Sequence, residues 1–174
     1  MVRFSYRVGK SVFTDPYRHI LNVFWILGVI IGCVSALYMT DSCKDLLVRS
    51  IVISAEPIGL LTVTFLPLVL SALAVYLSNR WLLIAVAFFK AIAFSYISMG
   101  LAVCLPASGW LIRLFLLFSD WCMLPILYWF WIRALSDNNT SWTKDIILTA
   151  AAGVVICVLD FSIISQFLNE ILFY

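Results

Sequence analysis

The sequence predicts an all-α fold, a polytopic helical bundle in a membrane, on three observations. Of its 174 residues 64% are hydrophobic and only 11% charged, against about 25% in a soluble domain, so charge is too scarce to cover a water-facing surface. Apolar runs of about twenty residues recur, each long enough to cross a ~30 Å hydrocarbon core at ~1.5 Å of helix rise per residue. Basic residues gather in alternate connections, as the positive-inside rule requires of inner loops. The chain reads as one membrane domain over residues 1–174 with five transmembrane helices, N-terminus inside and C-terminus outside. The helices fall at about 20–40, 58–78, 81–105, 109–132 and 146–172, and an outer amphipathic segment at about 45–56.

Residues 1–19 carry Arg3, Arg7, Lys10 and Arg18 against the single acid Asp15, and the uncharged run from Ile20 to Thr40 follows. Ile30-Ile31-Gly32-Cys33 resembles a lipoprotein cleavage box, but the apolar run continues past Cys33, which a processed signal does not need. In the outer segment Asp45, Arg49 and Glu56 share one helical face and Leu46, Leu47, Val48, Ile51, Val52 and Ile53 fill the rest. That pattern suits a helix lying in the interface, or an outward extension of the next helix. Pro57 fits the first turn of the second membrane helix, and Pro67 should bend its middle.

Asn79 and Arg80 form a tight turn into the third membrane helix, where Ala91, Ser95, Ser98 and Ala102 make a small-residue stripe for close helix contact. Lys90 borders that stripe. On the fourth helix Arg113 and Asp120 share a face with Leu117 and Leu124. Tyr128, Trp129 and Trp131 form an aromatic anchor at the inner boundary, closed by Arg133. The polar loop that follows holds Asn138-Asn139-Thr140, a glycosylation acceptor by pattern that an inner location would not allow. On the fifth helix Thr149, Gly153, Cys157 and Asp160 fall on one small, polar face that should turn into the bundle.

An ionisable group at mid-membrane costs ~2.5 kcal/mol or more, so the charges within these helices need partners or water. Counted from Trp81, Lys90 lies ~14 Å from the inner face, and counted from Gly109, Asp120 lies ~16 Å from the outer, about level with it. Asp160 falls ~21 Å from the inner face and Arg113 ~6 Å from the outer. The expectation is a buried charge network in two layers, Lys90 with Asp120 and, nearer the outside, Arg113 with Asp160. Snorkelling of Arg113 to headgroups and a neutral Asp160 form the alternative for the second layer. Cys43 and Cys104 fall on the outer side and could form a bridge, or stay free.

No nucleotide-binding glycine loop, nucleophile elbow or zinc-protease pair is present. The five cysteines and the lone His19 show no metal-ligand spacing. Eleven scattered Lys and Arg make no face for nucleic acid. No catalytic residue, cofactor or metal is therefore expected, and the expected partners are membrane lipid, other membrane or cell-wall proteins, or a second copy.

A basic start, one helix, an outer amphipathic segment and the stretch TFLPLVLSALAVYLSNRWLLIAVAFFKAIAFSYISMGLA together resemble the stage II sporulation protein M family, over residues 15–135. Phe89-Lys90-Ala91 followed by Ser95-Tyr96 is similar to that family's basic residue trailed by small residues and an aromatic. Phe118-Ser119-Asp120 departs from it, standing where the family tends to carry Leu-Pro-Gln. The resemblance implies a non-enzymatic membrane scaffold concerned with sporulation or cell-envelope remodelling in endospore-forming bacteria, and hence the bacterial inner membrane. The alternatives are a small permease or subunit of an ion- or proton-coupled transporter, using Lys90, Asp120 and Asp160, and an intramembrane enzyme using Asp120 and Asp160.

Overall fold

A computed structural model describes residues 16–54, 57–104, 117–135 and 142–172, with the side chains of 48–61, 63 and 163–172 left aside. Among these residues the chain is all helix, in six elements with no strand. They are α1 (Pro16–Leu37), α2 (Asp41–Ser54), α3 (Pro57–Tyr76), α4 (Arg80–Cys104), α5 (Phe118–Ala134) and α6 (Trp142–Leu172). Among the described residues three stretches are long and apolar enough to cross a membrane: Pro16–Leu37, Arg80–Cys104 and Trp142–Ser162. Thr64–Tyr76 is a shorter apolar stretch, and α5 has 17 residues.

Helix ends follow local chemistry. Pro16 and Pro57 are the first described residues of α1 and α3, and proline suits a first turn, where a missing N–H costs nothing. α3 closes on a Schellman turn, with the Asn79 N–H bonded to the Ala74 carbonyl and that of Ser78 to Val75, both at 2.9 Å. Ser78 takes the left-handed position at φ 52°. Asn79 then caps α4, its Oδ1 accepting from the Leu82 N–H at 3.0 Å. The turn therefore spans 77–79, and Arg80 is the first residue of α4 rather than part of the turn.

The most extensive interface joins α1 to α4. Gly28, Gly32 and Ala36, four residues apart, form a buried stripe of α1, whose glycines meet Phe88, Ala91, Ile92 and Ser95 of α4. A Cβ on Gly28 would stand 2.8 Å from the Phe88 carbonyl oxygen, and one on Gly32 would overlap the Ser95 hydroxyl. Small residues permit this close approach, which brings the two helix backbones into van der Waals contact. The opposite side of α1 exposes Val23, Ile26, Ile30 and Val34.

The core lies towards the α3–α4 turn, where Leu21, Leu83, Ile84, Leu127, Phe130 and Trp131 pack together. Trp131 is completely buried. It donates from Nε1 to the Ser71 hydroxyl at 2.8 Å. Ser71 in turn donates to the Pro67 carbonyl at 2.6 Å. This corrects the reading of Tyr128, Trp129 and Trp131 as one aromatic anchor. Tyr128 and Trp131, three apart, face inward with Leu124 and Leu127, and Tyr128 donates to Asn22 Oδ1 at 2.5 Å. Trp129 alone is exposed, beneath the Arg133 guanidinium 4.9 Å from its ring centre.

Candidate functional site

α4 and α5 are antiparallel neighbours, and the charge on each meets the other. The Lys90 ammonium lies 2.5 Å from Asp120 Oδ1, with the two side chains 8% and 9% exposed. Asp120 stands in the first turn of α5, where backbone N–H groups also favour a carboxylate. Removing such a pair from water is costly, and the contact offsets that only while both partners are present.

Asp160 of α6 joins the same cluster. It is 2% exposed and takes hydrogen bonds from the hydroxyl and backbone N–H of Ser119, beside the Asp120 carboxylate. Among the described residues its Oδ1 has no hydrogen-bond partner. The expected two layers are thus one where Asp120 and Asp160 are concerned. At the other end of these helices Arg133 Nε pairs with Asp145 Oδ2 at 3.1 Å. Measured from that pair, Asp120 is ~20 Å along α5 and Asp160 ~22 Å along α6. Counting Asp120 from Gly109, at the opposite boundary, had set the two apart. Arg113 lies outside the described residues.

The rest of the polar face of α6 is buried with Asp160. Thr149 is fully enclosed and donates to the Asp145 carbonyl at 2.8 Å. Gly153 lies against Phe65 and Met123. An apolar groove of about 540 Å³ runs between α3 and α4, walled by Leu66, Leu70, Leu73 and Phe89, and it reaches Lys90 and Asp120. Those four walls are exposed on the outside of the bundle.

In the outer segment Asp45 is exposed, Arg49's side chain is outside the description and Glu56 falls outside the described residues altogether. Helix α2 begins at Asp41, where Lys44 pairs with Asp41 at 2.7 Å. Cys43 and Cys104 are both free thiols. Asn138 lies outside the described residues. Sequence reasoning overlooked Ser119, the Arg133–Asp145 tie and the Gly28-Gly32-Ala36 stripe. The stripe had a plain signal in its spacing of four, and Ser119 had none beyond adjacency to Asp120.

Among the described residues no group of His, Cys, Asp or Glu has the arrangement of a metal site. Comparison with protein-family models, with curated proteins and with solved structures finds no match to this chain.

Proposed function

We propose that the chain is a multi-pass protein of the bacterial inner membrane that acts as a non-enzymatic scaffold for other membrane or cell-envelope proteins. In this reading α1, α3, α4, α5 with the residues before it, and α6 are the five membrane helices, N-terminus inside and C-terminus outside. The observation that carries the scaffold is the closed ion pair: Lys90 and Asp120 spend their charge on each other and so fasten α4 to α5. The groove beside them has apolar walls, which suit a partner's hydrophobic helix rather than a hydrated ion. Envelope-remodelling proteins of the kind the sporulation resemblance implies are the first partners to seek.

A photo-crosslinking residue at Leu70 or Phe89, in cells, should trap a discrete membrane protein, and the same residue at Val34 on the far side of α1 should not. Crosslinks to lipid alone from both faces would overturn the scaffold. For the topology, a reporter active only outside the membrane should give signal when fused after Tyr174 and none when fused after Ser136. The reverse pattern would overturn the orientation.

The second reading, a permease or subunit of an ion- or proton-coupled transporter, has the unpartnered Asp160 oxygen in its favour. Solute- or proton-dependent flux in proteoliposomes of the purified chain, lost on Asp160→Asn, would favour it over the scaffold.

A further inference from the structure

The scaffold reading gives Lys90 and Asp120 a task and leaves Asp160 without one. Yet Asp160 is among the most deeply enclosed polar side chains of the bundle, 2% exposed, with one oxygen unpartnered among the described residues. Among the described residues its hydrogen bonds come from Ser119, and the charged group acting on it is a second carboxylate, Asp120. We propose that Asp160, with Ser119, Asp120 and Lys90, forms a binding site for one exchangeable proton at the junction of α4, α5 and α6.

The argument is a count of charge around the site. Lys90 supplies one positive charge, already engaged by Asp120 at 2.5 Å. The first turn of α5 adds about half a charge more. Among the described residues two ionised carboxylates exceed that sum, in surroundings that do not solvate the excess. From α3, the other helix packed against α6, the only ionisable side chain described is Tyr76, which is exposed at its far end. On α6 itself Cys157 lies a turn away, and Asp145 is tied to Arg133 at the opposite end. A proton taken from the aqueous phase onto Asp160 forms one O–H bond, removes the excess charge and leaves the Lys90–Asp120 pair intact. A proton suits this place better than a metal cation, since it leaves a neutral group needing no further oxygen ligands.

The site stands apart from the scaffold reading, and either can fail without the other. The test treats the full-length chain, in membranes, with an apolar carbodiimide, which modifies carboxyl groups that are protonated in apolar surroundings. Peptide mass spectrometry locates the adduct on the parent protein, so the result does not hang on a variant folding. The expected result is an adduct on Asp160 that declines as pH is raised, is unaffected by sodium at fixed pH, and is lost in Asp160→Asn. Asp120 should stay unmodified in the parent and become modified in Lys90→Met. Absence of an Asp160 adduct from mildly acid to mildly alkaline pH would overturn the proposal. So would an adduct that forms only in Arg113→Gln, because Arg113 would then neutralise Asp160. Protection by sodium would overturn it as well, by making the site one for a metal cation.

Discussion

Asp41 and Lys44, three residues apart at the start of α2, show how little an exposed pair needs in order to titrate differently from free side chains. The hydrogen bond from Lys44, and then its charge, hold the Asp41 carboxyl below the ordinary aspartate range. The same contact raises Lys44 above the ordinary lysine value. The contribution of Asp41 is therefore present above its unfolded value and lost as pH falls through its folded one. That of Lys44 is present below its unfolded value and lost as pH rises through its folded one. Between those limits the pair supports the first turn of α2, and salt weakens it. NMR titration should show Asp41 moving up towards the ordinary value in Lys44→Ala; an unchanged midpoint would mean that the contact does not persist in solution. Trp131 shows the opposite regime, where a buried donor must be satisfied. Ser71→Ala would leave its indole N–H without an acceptor and should cost about 1–3 kcal/mol, read as a lower melting temperature in detergent. Unchanged melting would mean that another acceptor replaces Ser71.

At the scale of elements, the contact of α1 with α4 depends on what glycine lacks. Gly32→Ala would place a methyl group against the Ser95 hydroxyl and 2.5 Å from the Ile92 carbonyl oxygen, both on α4. The helices must then separate, at a cost of about 1–3 kcal/mol, whereas Ile31→Ala on the exposed side should have much less effect. Equal melting temperatures for the two variants would contradict the packing. Ser78→Gly should act the other way, because glycine relieves the left-handed position at the α3–α4 turn, a gain of about 0.5–1 kcal/mol. A loss of stability there would contradict the Schellman turn. That the described chain is helical, with apolar stretches long enough to cross a membrane, is legible in the sequence because such runs are marked locally. The pairing of α4 with α5 is legible too, since the sequence places Lys90 and Asp120 on successive apolar runs at about the same depth. The place of Asp160 is not, because it depends on how α6 is set against α5. That register follows from Arg133 and Asp145, which no local pattern connects. Trp131 misleads for a related reason: composition marks an aromatic near a boundary, but only packing decides which side of the helix is inward.

For the whole molecule, the described residues are all-helical, with three stretches long and apolar enough to cross a membrane, and two kinds of contact join their helices. Small residues bring α1 onto α4, and buried charge fastens α4 to α5 with α6 against the cluster. The central claim is that Lys90 and Asp120 act as this fastening. A double-mutant cycle in detergent tests it most directly, comparing the melting temperatures of the parent, Lys90→Met, Asp120→Leu and the double variant. Each single change strands the opposite charge and should cost about 3–5 kcal/mol, while the double change, leaving an apolar pair, should recover much of the loss. Single variants as thermostable as the parent would contradict the account.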